Sequence, residues 1–268
     1  MQRRDATKER GWRGGVGATL AVLVLAAAGQ AGFAGEAAHP GPAVRRLTGK
    51  EMVEAGQARD RADQLRAGYE AAHRAGPADK PDEAAESAFR TAEAAYQDVL
   101  DKYPGTDIAA YCYLRLAGLY QYHRDHARMT ELLQDMAARF AGTEYESQAY
   151  FTLGLMHLQA LHDPKSAAPW FEKVAPPPGA DPDGTVPDKK YDHTHVVYIS
   201  ATQALAKCEI RLGKPADAAR RCEALSKRYP QYQKSFASAL RFEVRSALSD
   251  HKLTAIKPIL QAWLEQNP

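Results

Sequence analysis

Apolar positions recur at steps of three and four along most of the chain, the spacing that lines one face of a helix. The clearest run is Ile199 to Pro230. Leu205, Ala206 and Ile210 form one seam; Ala218, Cys222 and Leu225 form a second, closing on Tyr229-Pro230. Gly213-Lys214-Pro215 separates them. Glycine suits a helix end and proline the first turn of the next, so the spacing predicts a helical hairpin.

The closing helix recurs. Ala92, Tyr96, Val99 and Tyr103 precede Pro104 by twelve, eight, five and one residues, as Ala218, Cys222, Leu225 and Tyr229 precede Pro230. Ile256, Leu260 and Trp263 keep the first three offsets before Pro268. The opening helix recurs too. Gly105-Thr106 returns 37 residues on as Gly142-Thr143, and Tyr113, Leu116 and Ala117 return as Tyr150, Leu153 and Gly154. Between these copies, His123-Arg124-Asp125 marks a turn. Met129, Leu133 and Met136 mark a return helix ending at Phe140, and Asp163-Pro164 starts a helix carrying Ala167 and Phe171. Upstream, Thr48 and Glu51 have the spacing of a capping box, with Thr143 and Glu146 a second. The first opens a helix over about 50–74, which Gly76–Asp82 breaks before a helix from about 82 to 103. The segment 175–193 is rich in Pro, Gly and Asp and reads as a loop inserted between repeats.

These repeats of 34–38 residues, with alternating helices and Tyr-Pro endings, resemble the tetratricopeptide repeat family. Tyr113, Leu116, Ala117 and Tyr120 match that family's large aromatic, leucine, small and tyrosine positions. The run YPGTDIAAYCYLRLAGLY is similar to a branch of exported bacterial proteins that includes the BamD and CpoB (YbgF) types. The resemblance implies an all-α superhelical solenoid of about five hairpins over 48–268. Each hairpin would bury its apolar face only against its neighbours. It also implies a concave groove lined by the first helix of each hairpin. The inward phase gives Tyr111, Leu114 and Tyr122, then Gln148, Phe151 and Gln159, then Gln203, Lys207 and Arg211, and last Arg241 and Arg245. Such a groove is aromatic and apolar toward its N-terminal half and basic toward its C-terminal half. The basic end suits a peptide carboxylate or an acidic segment.

Composition changes this picture at one end. The chain has 268 residues, is 45% apolar and carries a formal net charge of +2. Residues 1–34 hold five basic and two acidic side chains, so the remainder has 30 Lys and Arg against 31 Asp and Glu, a net of −1. No bulk charge draws the mature domain to nucleic acid. Basic residues precede the mostly apolar run Val16–Ala28, and Gly32-Phe33-Ala34 supplies small residues for cleavage. This reads as a signal peptide over 1–34, with a retained anchor as the alternative. A linker follows over 35–47, and the mature domain is expected in the periplasm or outside the cell, not spanning a membrane.

The remaining chemistry is sparse. Cys112, Cys208 and Cys222 read as free buried thiols. His193-Thr194-His195 falls at the end of the inserted loop, and His123 and His126 at a turn. They are expected as exposed polar residues, with no metal or cofactor. Glu209 lies near its helix's core face, which requires a partner or partial exposure. No G-x-S-x-G, H-E-x-x-H or G-x-x-x-x-G-K-[ST] motif is present, and no acid/base constellation stands out. The expectation is therefore a non-enzymatic scaffold for a protein or peptide partner, with a place in cell-envelope assembly. Two alternatives stay open: a structural or oligomerisation module whose groove its own N-terminal helix or loop fills, and a cell-wall hydrolase.

Overall fold

Helices account for the seams. The computed structural model of the chain describes residues 44–75, 83–177, 193–230 and 233–267, all within one unit spanning 36–268. The expected signal peptide, most of the linker, the break at 76–82 and most of the inserted loop lie outside the described residues. The elements are α1 (Gly49–Ala75), α2 (Glu83–Lys102), α3 (Asp107–His123), α4 (His126–Arg139) and α5 (Glu144–Leu155). A π-helical turn (Met156–Ala160) leads to α6 (Pro164–Glu172). Then come α7 (His193–Arg211), α8 (Pro215–Arg228), α9 (Gln233–Ser249), a 3-10 turn (His251–Ile256) and α10 (Lys257–Gln266). No strand occurs among the described residues.

Each helix packs on the next in chain order, and α1 on α3, α5 on α7 and α7 on α9 as well. Helix contacts thus run in sequence along the chain. Ala92, Tyr96 and Val99 of α2 are buried, as are Leu116 and Ala117 of α3 and Met129, Leu133 and Met136 of α4. Ala206, Ile210, Ala218, Cys222, Leu240, Val244 and Leu260 form one cluster that joins α7 and α8 to the last pair.

The repeated punctuation has a backbone cause. Gly105 and Gly142 have φ of 69° and 75°, where a side chain is disfavoured. The threonine after each glycine caps the next helix: Thr106 Oγ1 accepts from the Ala109 N–H at 3.2 Å, and Thr143 Oγ1 from that of Tyr145 at 3.3 Å. The capping boxes form incompletely. The Thr48 N–H donates to Glu51 Oε2 at 3.0 Å, but the Thr48 hydroxyl also turns to that carboxylate. Glu146 reaches one residue further back, accepting from the Gly142 N–H at 2.7 Å.

The structure corrects three expectations. Helix α7 begins at His193, six residues before Ile199, so His193-Thr194-His195 forms its first turn, and the inserted segment ends at 192. His195 is buried, its ring edge-on to Tyr229 with centroids 6.2 Å apart. His123 is half-buried, stacked on Phe89 at 3.8 Å and bonded through Nδ1 to the Tyr69 hydroxyl at 3.0 Å. The expectation for Glu209 is met: it is partly exposed and paired with Arg221 of α8, which donates to it through Nη2 at 2.7 Å.

Candidate functional site

The expected groove residues separate into three groups. On α3, Tyr111 and Tyr122 both meet α1. The Tyr111 hydroxyl donates to Asp63 Oδ2 at 2.9 Å, and its ring lies 5.7 Å from the Arg59 guanidinium carbon. Tyr122 packs edge-on to Tyr69 and His73, at 5.7 and 4.9 Å. Arg66 of α1 donates to the Arg115 carbonyl at 3.2 Å and lies over Gly118. Positions 111, 115, 118 and 122 form one helical stripe, which α1 covers. Leu114 is buried.

The second group is largely interior. Gln148 and Phe151 on α5 are 6% and 3% exposed, and the Phe151 ring lies 6.0 Å from that of Phe171. Gln159 is partly exposed but sits in the π-helical turn, where the Leu161 N–H donates to the Met156 carbonyl at 3.1 Å. The i→i+5 bond rotates its phase away from the α-helical extrapolation.

In the third group, Gln203 is partly exposed, and the bases divide. Lys207 Nζ lies 2.9 Å from Glu243 Oε1, and Arg211 Nη1 lies 3.9 Å from Asp250 Oδ2. The first pair joins α7 to α9, and the second joins α7 to the residue that follows α9. Arg241 and Arg245 are exposed. At about 100° per residue they stand on roughly the opposite side of α9 from Glu243. The four bases therefore do not form one cluster. Between Arg241 and Arg245, Phe242 is 68% exposed, and Ile259 of α10 is also exposed.

Sequence reasoning missed the carboxylates that hold the tyrosines. Asp63 accepts from Tyr96 as well as Tyr111, and Arg115 Nε donates to it at 3.1 Å. Glu93 accepts from Tyr120 at 2.6 Å, Asp107 from Tyr145 at 2.8 Å, and Asp135 from Tyr113. Each bond joins two helices. Burial, reinforced by the Asp63 carboxylate, pushes the Tyr111 hydroxyl up to about 12. Burial with its neighbouring carboxylate likewise raises Tyr96, Tyr113, Tyr120 and Tyr145.

A raised folded-state tyrosine favours the neutral, folded form. That contribution is complete below the unfolded value of about 10 and is lost as pH rises through the folded one. Stability is thus expected to hold from neutral pH to about 10 and then fall steeply. Phenolate absorbance and helicity, followed together in an alkaline titration, should change in one cooperative step. Independent tyrosine titration with intact helicity would contradict this.

Cys112, Cys208 and Cys222 are free and buried. Burial pushes their thiols up to about 12, 12 and 11, which leaves little nucleophilic thiolate at neutral pH. Among the described residues no helix is long and apolar enough to cross a membrane. No family model, curated protein or solved structure matches the chain. The site is therefore read from its own geometry.

Proposed function

We propose that the chain is an exported, tetratricopeptide-like helical-repeat scaffold that binds a protein or peptide partner, with a role in cell-envelope assembly. The observation that carries the proposal is the outer face of α9, where Arg241, Phe242 and Arg245 are exposed together at the last hairpin. Phenylalanine and arginine are both enriched at protein interfaces relative to the rest of the surface. The solenoid of about five hairpins is part of this reading. Helices packed in chain order support it, as do the recurrent left-handed glycines before α3 and α5.

One observation favours a second reading for the N-terminal half. Helix α1 lies on Tyr111 and Tyr122, as in a module whose groove its own helix fills. The two readings are compatible: α1 completes the array at one end, and α9 presents the contact surface at the other.

The test is capture from envelope extract. Arg241→Glu, Phe242→Ala and Arg245→Glu combined should cut capture about tenfold or more with unchanged helicity. Undiminished capture would remove α9 from the interface. Lys207→Glu with Arg211→Glu is a poorer probe, because each places a carboxylate against Glu243 or Asp250 and weakens the α7–α9 contact.

A further inference from the structure

A second feature lies between α7 and α8. These helices flank an open cleft of about 560 Å³. Arg228, near the end of α8, lines it and is only 8% exposed. Its Nε and Nη2 are buried and have no hydrogen-bond partner among the described residues. What surrounds the charge is aromatic: the guanidinium carbon is 5.6 Å from the Tyr198 ring centroid and 6.0 Å from that of Tyr229. Aromatic faces offset only part of the cost of withdrawing a charge from water. The other two arginines of the cleft are engaged, Arg221 with Glu209 and Arg220 with Asp217. Arg228 is the one whose charge no carboxylate of the cleft answers.

We infer that this cleft is a binding site for a carboxylate, with Arg228 as its anchor. Three arginines and two carboxylates line it, so it carries one excess positive charge, the complement of a monoanion rather than a phosphate dianion. The planar fork of arginine matches a carboxylate through two parallel N–H donors. Tyr198, Ala224 and Leu225 supply an apolar wall for the stem that bears the carboxylate. The carboxylate belongs to a peptide chain end or an acidic side chain, which share this chemistry. The site is distinct from the α9 surface and from the Gln203–Lys207–Arg211 stripe. On α7, Tyr198, Thr202 and Glu209 fall on roughly the opposite side from that stripe, at about 100° per residue.

The test follows the arginine Nε–Hε resonances of the full-length chain by NMR, with four probes: N-acetylleucine, its uncharged amide, a blocked peptide with one internal glutamate, and inorganic phosphate. A saturable shift of the Arg228 resonance is expected with N-acetylleucine or the glutamate peptide, and the tighter of the two identifies the source. The amide should bind about tenfold more weakly or not at all. Arg228→Met should abolish the interaction, and Arg90→Met, at an exposed arginine of α2, should leave it unchanged. Without ligand, Arg228→Met should melt at the same temperature as the wild type or higher, because it removes an unanswered buried charge. A lower melting temperature would make Arg228 a structural cation. That result, retained binding in Arg228→Met, equal binding of the amide or preference for phosphate would each overturn the assignment.

Discussion

Replacing Asp63 with alanine is expected to cost about 3 kcal/mol of stability and to release α1 from the rest of the array. One carboxylate accepts from Tyr96 of α2 and from Tyr111 and Arg115 of α3. Its side chain is 24% exposed, so the pairing is only partly screened by water. Deletion leaves two hydroxyls and a guanidinium without their shared acceptor. A single lost neutral hydrogen bond costs about 1 kcal/mol, and orphaning a charged partner adds more. Asp63→Asn keeps an acceptor but loses the charge, and should fall between. Chemical denaturation checks the magnitude, and amide exchange checks the location: protection should drop first in 49–75. A loss below about 0.5 kcal/mol would mean the node is as weak as a surface ion pair.

The second large effect is expected at Gly154. A Cβ there would lie 2.5 Å from Phe171 Cε1 and 2.7 Å from Cδ1 and Cζ. The Phe171 ring also packs on Phe151 and is 3% exposed, so it has little room to retreat. Gly154→Val should cost about 3 kcal/mol by overpacking, since valine recovers little of the helix-propensity gain that alanine would bring. Gly154→Ala should cost less, the clash being offset by about 1 kcal/mol of propensity. Trimming the obstacle gives the control. Phe171→Leu should destabilise the wild type but rescue part of the Gly154→Val loss, a coupling that a double-mutant cycle measures directly. Additive losses would show that the contact between α5 and α6 is slack.

Gly154 also shows why much of the fold was legible. It occupies the position of Ala117 one repeat on, where a neighbouring helix approaches too closely for a larger side chain. The Gly-Thr openings were legible because they encode left-handed turns and caps, which depend on local chemistry alone. The start of α7 was not. His193-Thr194-His195-Val196-Val197 is polar or β-branched and reads poorly as a helix, but burial of His195 and Val197 overrides that local preference.

The candidate site was less legible, because phase along one helix does not say what stands across from it. The inward phase on α3 found Tyr111 and Tyr122 but not the Asp63, Tyr69 and His73 that cover them. The phase on α7 found Lys207 and Arg211 but not Glu243 and Asp250, which pair with them. Beyond α5 the π-helical turn breaks the extrapolation to Gln159. Arg228 did leave a signal, since it keeps the three-residue step from Leu225 on the buried face of α8. A charge in phase with an apolar seam is costly enough to mark a position for scrutiny.

The central claim is that α9, rather than the aromatic stripe of α3, meets the partner. A photo-crosslinking phenylalanine analogue placed at Phe242, and separately at Tyr111, tests it in cells expressing the full chain. Residue 242 should give an intermolecular adduct, while residue 111 should react only within the chain, with α1. Adducts to another protein from residue 111, with none from residue 242, would contradict the account.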